Sequence, residues 1–136
     1  MDSSSSSSSH LSASMDTLPL DATGINSSLK FVLANLKNFV HSPLSTDNYP
    51  VWRSQIIKIL RANGLESFLD STFATPPKCI TNPDGISSTN PAYSKWIFTD
   101  QNLAAAICAT IFVSILPYVL NLETTSSIWS TLETRF

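Results

Sequence analysis

The sequence is poor in the residues that most chemistry needs. Among 136 residues it has two histidines, two cysteines and three glycines, and only 13% are charged. His10 lies in a serine tract and His41 in a linker, so no Ser/His/Asp or Cys/His arrangement can be assembled on the folded part. Cys79 and Cys108 are far apart and have no Cys or His neighbours at ligand spacing, which excludes a zinc motif. Gly24, Gly64 and Gly85 are isolated, so neither a phosphate-cradling loop nor a dinucleotide fingerprint can be written. A carboxylate pair such as Glu66 and Asp70, four residues apart, has a spacing compatible with acid/base work, but on an amphipathic turn a solvated face is the commoner outcome. These absences point to a protein that is not an enzyme, with no cofactor, no metal and no small-molecule substrate.

Charge excludes another class. The formal net charge is -2, and from Asn48 onward six basic residues (Arg53, Lys58, Arg61, Lys78, Lys95, Arg135) balance six acidic ones (Glu66, Asp70, Asp84, Asp100, Glu123, Glu133). Binding driven by phosphate neutralisation needs a concentrated basic surface. The best local run is Arg53, Lys58 and Arg61 on one expected helix; it is either a weak contact face for nucleic acid or acidic partners, or an ordinary solvated helix face. No secretory leader or Arg-rich transit peptide is recognisable in the polar beginning Met1–Ser9, and two unpaired cysteines fit reduced thiols, so an intracellular, cytoplasmic location is expected. Residues 103–120 carry no charge over eighteen positions, the minimum length for a membrane span. Ala, Thr and Ser dilute this stretch, Pro117 interrupts it and no basic cluster flanks it, so a buried core helix followed by a turn is the expectation and a membrane contact is disfavoured.

What is present is helical punctuation. Residues 1–27 form a Ser-rich leader whose composition cannot bury enough apolar surface to offset chain entropy, and disorder is expected there. Residues 28–47 comprise an N-terminal helix, with Leu29, Val32, Leu33, Leu36 and Val40 near helical spacing, and an extended linker around Pro43. Residues 48–136 form the main domain. Asp47 or Asn48 can cap a helix with Pro50 in its first turn and Tyr49, Trp52, Ile56, Ile59 and Leu60 inward, ended by a left-handed Gly64. A short helix over Leu65–Leu69 turns Phe68 back. Residues 70–90, rich in Pro, Ser, Thr and Asn, are expected to be a long surface loop with no element of its own.

Asn90-Pro91 restarts a helix that runs through Tyr93, Trp96, Leu103, Ile107 and Ile111. Ser114 can cap a short turn at Pro117 with Val119 and Leu120 inward, and Thr125 can cap a last helix with Ile128, Trp129, Leu132 and Phe136 on one side. No alternating strand pattern persists, so the fold class is all-α. A domain of roughly ninety residues buries about 60–65% of its unfolded surface and is marginal unless aromatics pack well or a partner helps. Tyr49, Trp52, Trp96 and Trp129 could form a stacking platform for bases, but their helical spacing among aliphatic residues places them in the core. Asp100 falls on the apolar face of its helix, where a carboxylate is costly unless satisfied. It should accept from a Trp indole N–H or pair with Arg53, or else lie at the solvent edge.

In order, Leu44-Ser-Thr-Asp-Asn48-Tyr49-Pro-Val-Trp52-Arg53, then Gly64-Leu65 and Phe68-Leu69-Asp70, resemble the opening of copia-type retrotransposon Gag proteins, common in plants. Pro91, Trp96-x-x-x-Asp100, the apolar run to Leu116, Val119, and Thr125 with Ile128-Trp129-x-x-Leu132-x-x-x-Phe136 continue the likeness, which covers residues 39–136. The resemblance implies a small orthogonal helical bundle of the capsid N-terminal kind that self-associates into homo-oligomers around retroelement RNA. The family's zinc knuckle, second capsid half, protease, integrase and reverse transcriptase motifs are missing. RNA contact through this chain is therefore expected to be only indirect, and a fragment, a truncated product or a domesticated host module that binds a peptide or helix near residues 70–90 is the expected form.

Overall fold

Two prolines set helix starts. In the computed structural model, which describes residues 27–136, Pro50 and Pro91 stand in the first turns of the two longest helices, where a missing N–H costs nothing. The helices are α1 (Ser27–Ala34), α2 (Leu36–Phe39), α3 (Tyr49–Ala62), α4 (Pro91–Cys108) and α5 (Thr125–Arg135), with 3₁₀ turns at Glu66–Leu69 and Leu116–Tyr118. Residues 1–26 of the expected leader lie outside the described residues, Ser27 already belongs to α1, and the expected helix over residues 28–40 is divided at Asn35. The fold is mostly helical, as expected.

It is not wholly so. Residues 70–90, expected to lack an element, contain an antiparallel hairpin of β1 (Cys79–Thr81) and β2 (Ser87–Thr89), with Cys79 opposite Thr89 and Thr81 opposite Ser87. The turn is built on Gly85 at φ +85°, whose N–H donates to the Asn82 carbonyl at 2.9 Å, while Asp84 Oδ1 accepts from the Ile86 N–H at 2.9 Å. All six strand residues are exposed, so no apolar alternation marked them in the sequence.

Gly64 ends α3 as expected, at φ +70°. Leu65 N–H donates to the Leu60 carbonyl at 2.8 Å and Gly64 N–H to the Arg61 carbonyl at 3.2 Å, the two bonds of a Schellman motif, and Leu65 is buried. Asn48 does occupy the cap position of α3 but does not cap it with its side chain. Its amide is turned back on the linker, accepting from Ser45 N–H at 2.7 Å and donating to the Pro43 carbonyl at 2.8 Å and to Ser42 Oγ at 3.1 Å. The cap of α5 is Thr124, not Thr125; its hydroxyl accepts from Ser127 N–H at 3.2 Å. The 3₁₀ turn at Pro117 is preceded by Ile115 rather than capped by Ser114, and it buries Val119 but leaves Leu120 exposed.

Helix α4 is the central element. It packs against α1, α2 and α5, while the Glu66–Leu69 turn bridges α3 and α5. The core includes Leu36, Leu44, Trp52, Ile56, Leu60, Leu103, Ile107, Ile115, Ile128 and Leu132, so the residues before Asn48 share it. Leu44 is held there by backbone: its N–H donates to the Thr110 carbonyl at 2.8 Å and its carbonyl accepts from Phe112 N–H at 2.9 Å. One buried side-chain relay crosses the same place. Trp52 Nε1–H donates to Thr110 Oγ1 at 3.0 Å, and that hydroxyl donates to the Ile107 carbonyl at 2.6 Å.

Replacing Thr110 by Val keeps volume but leaves the indole N–H unpaired in the core. The variant is expected to lose about 1–3 kcal/mol of stability by chemical denaturation. In a cycle with Trp52→Phe the two losses should fall short of additive, because they share one bond; full additivity would show that the bond carries no energy.

Candidate functional site

The residues singled out in the sequence separate into two sets. Tyr49, Trp52, Trp129, Leu132 and Phe136 come together where α3 meets α5. Trp52 and Trp129 lie 5.4 Å apart between ring centroids, Tyr49 and Trp52 lie 6.1 Å apart, and Phe136 stacks on Tyr49 at 6.1 Å. Trp52 and Leu132 are fully buried and Trp129 nearly so, which leaves neither indole an open face for a base to stack on, while Tyr49 and Phe136 are half-buried. Burial, with Glu133 nearby, raises the Tyr49 phenol above its ordinary range against the opposing pull of Arg53. Trp96 stands apart from this group. It is half-buried and stacks on Phe68 at 5.7 Å, beside an apolar groove that Leu29, Leu65 and Pro76 also line.

The basic run is largely neutralised within the molecule. Arg61 makes a two-pronged bond to Glu66, at 2.8 and 2.7 Å, which holds the Glu66 carboxyl below its usual range and raises the guanidinium. Arg53 pairs with Glu133 at 3.3 Å and lies over the Trp129 ring at 6.0 Å. Both acidic partners come from other elements, so the sequence run alone did not reveal them. With Arg53 and Arg61 so engaged, the face offers phosphate a much weaker field than three free cations would.

Asp100 is buried, as its place on the apolar face requires, but neither expected partner meets it. The Trp52 indole goes to Thr110 and Arg53 goes to Glu133. Its carboxylate instead faces the start of α5, where Oδ1 accepts from Thr125 N–H at 3.3 Å, and Thr125 Oγ1 donates to the Asp100 carbonyl at 3.0 Å. A helix N-terminus offers unpaired N–H groups and a positive dipole end, so the carboxylate joins α4 to α5 as a cap supplied from outside the helix. Oδ2 has no hydrogen-bond partner among the described residues. Burial pushes the carboxyl up, and the Thr125 hydroxyl and amide draw it partly back.

Beside this joint, a groove of about 510 Å³ runs between the Glu66–Leu69 turn, Phe73 and α5. Ile57, Leu69, Phe73 and Trp129 give it apolar walls, and Arg53, Glu66, Asp70 and Glu133 line its polar part. Thr72 N–H and its hydroxyl both donate to Asp70 Oδ1 and lower that carboxyl. Nothing in this set pairs a nucleophile with a base. Among the described residues no group of three or more His, Cys, Asp or Glu is arranged to hold a metal. Cys79 and Cys108 are both unpaired, and burial raises the Cys108 thiol, which disfavours the reactive thiolate. Residues 103–120 divide into the end of α4, a turn and a 3₁₀ segment, and no helix among the described residues is long and apolar enough to cross a membrane.

The raised Asp100 pKa has a definite sign in stability. The folded state holds the proton more tightly than the unfolded chain, whose Asp titrates near pH 3.9. Folding is therefore favoured below that pH and loses this contribution as pH rises through the folded-state value. Compared by thermal melts at pH 3.5 and pH 7, Asp100→Asn is expected to gain on the wild type as pH rises. A difference that stays constant between the two pH values would show that Asp100 does not titrate from a buried position.

Against known proteins, the chain is similar to the retrovirus-related Pol polyprotein from transposon RE2 of Arabidopsis thaliana, with 33% identity over 89 residues, 65% of this chain. It is 32% identical over the same length to the corresponding polyprotein from transposon RE1 of that plant. The matched stretch is 6% of each polyprotein, so the chain spans only a small part of the curated relatives it matches. No family model matches the chain, and no solved structure matches it. The shared stretch supports a retrotransposon origin for this mostly helical chain.

Proposed function

We propose that the chain is a structural, non-catalytic Gag-like capsid module of a copia-type retrotransposon that self-associates through its helical surfaces. The observation that carries this is the division of labour among its side chains. Of the aromatic residues that resemble the Gag pattern, Trp52 and Trp129 are in the core and Tyr49, Phe68 and Phe136 pack against it, while large apolar residues including Phe31, Val51, Phe112, Val113, Tyr118 and Leu120 are left outside. Where exposed apolar side chains gather, as Phe112, Val113, Tyr118 and Leu120 do along one short segment, they suit a contact surface. Retroelement RNA would be approached only indirectly by this module, because Arg53 and Arg61 of its basic face are paired with Glu133 and Glu66. The assembly would work inside the cell, in the cytoplasm.

The groove beside Trp129 favours a second reading. Apolar walls with charged groups along the polar part suit an amphipathic peptide or helix, the ligand of a domesticated, host-adapted binding module.

Sedimentation velocity over a concentration series separates the two. The weight-average sedimentation coefficient of the capsid module is expected to rise with concentration, whereas a chain that remains strictly monomeric at the highest concentration is not an assembling one.

A further inference from the structure

The apolar turn between α4 and α5 has an unusual surface. Residues 101–122 carry no charged side chain, yet only part of that stretch is buried. Ile115 and Val119 turn inward, while Phe112, Val113, Tyr118 and Leu120 remain between 49% and 70% exposed. The segment is not a loose loop. The Phe112 carbonyl accepts from the N–H groups of both Ile115 and Leu116, the Ile115 carbonyl from Tyr118 N–H, and the Leu116 carbonyl from Leu120 N–H, all at 2.9–3.1 Å. Phe112 N–H is in turn anchored on the Leu44 carbonyl. The four apolar side chains are therefore displayed on a fixed support, which lowers the ordering cost of any contact they make.

We infer that this turn is the self-association face and that its occupant is the same turn of a second copy of the chain; the assignment rests on the self-association proposed above. Three features select a second copy. Residues 101–122 are uncharged, so the turn can meet itself across a two-fold axis, as an isologous contact requires, with Arg135 over Tyr118 at its edge. The groove beside Trp129 is lined by both Arg and carboxylates and has no such self-match. Its area also fits: four side chains about half exposed or more present roughly 400 Å² of apolar surface. That is about half of what one partner contributes to a standard stable interface, enough for a weak, concentration-dependent contact. A lipid surface would be met instead by a rim of several Lys or Arg. None lies in residues 101–122; Arg135 is stacked over Tyr118 at 3.8 Å, and Lys30 and Lys37 flank Ala105 and Ala109 on the last turns of α4 rather than the turn itself.

The test is sedimentation velocity of the full chain as wild type, Val113→Asp and Ile86→Asp, each checked for wild-type circular dichroism. Val113 is 70% exposed and Ile86 64%, so neither change strains the core. Ile86 sits on the hairpin at the opposite end of α4, an 18-residue helix about 27 Å long. Val113→Asp places like charges opposite each other and should move the association midpoint at least tenfold to higher concentration, while Ile86→Asp leaves it in place. Undiminished association of Val113→Asp, with the wild type associating, overturns this face and leaves the capsid proposal standing. A wild type that never associates removes that proposal and this face with it. Binding of wild type but not Val113→Asp to phosphatidylcholine vesicles, without loss of self-association in the variant, would reassign the turn to lipid and overturn the second-copy occupant.

Discussion

The fold depends on how one large side chain is accommodated. Trp52 is fully buried, and an indole can enter a core only if its N–H finds an acceptor. Thr110 supplies that acceptor, and its own hydroxyl donates to the Ile107 carbonyl, at the point where α4 ends. The same few residues receive the linker, since Leu44 bonds to the backbone on both sides of Ile111. Three segments distant in sequence are thereby fixed at one place, the first turn of α3, the end of α4 and residues 41–44. The Asn48 amide closes the arrangement by tying the linker to the start of α3. Once Trp52 is fixed, Trp129 can pack on it, and Arg53 is left above Trp129 within reach of Glu133.

A second constraint sits about two and a half turns earlier on α4. Asp100 and Thr125 exchange two hydrogen bonds in a buried position, one to a side chain and one to the main chain. A carboxylate there costs desolvation and is weakly repaid by a 3.3 Å bond, with Oδ2 left over. An apolar residue of similar size could pack with less penalty, but it could not recognise a helix N-terminus. The pair fixes where α5 begins along α4, so it specifies geometry more than it adds stability.

The framework was legible in the sequence because its signals are local. Pro50 and Pro91 announce helix starts, Gly64 announces an end, and Trp52, Ile56 and Leu60 fall on one face by spacing alone. What was missed depends on partners far along the chain or on signals with two meanings. Arg53 pairs with a residue eighty positions away, and Asp100 with one twenty-five away, so a helix-by-helix view leaves both without their true partners. Thr124 and Thr125 are equally good caps on composition; what distinguishes them is that Asp100 already engages Thr125. The hairpin escaped because Pro83 and Gly85 mark a turn and a loop alike, and fully exposed strands show no alternation. Val119 and Leu120 are both apolar and adjacent in sequence, yet the 3₁₀ turn at Pro117 gives the inward position to Val119 alone.

These features bear on how such a small chain could act. The core takes up Trp52 and Trp129, while several other aromatic rings, Phe112 and Tyr118 among them, stay outside, and the charges are few and partly paired with one another. Its outer surface can then contribute mainly apolar contact area, held rigid by turns rather than by long helices. Contacts of a few hundred Å² are weak singly but multiply when many copies meet, because each additional contact within an assembly is made at high effective concentration. A particle built this way would form and come apart readily. A tight dimer of the same chain would require a larger or more hydrophobic face, and with it a greater aggregation hazard for the free module.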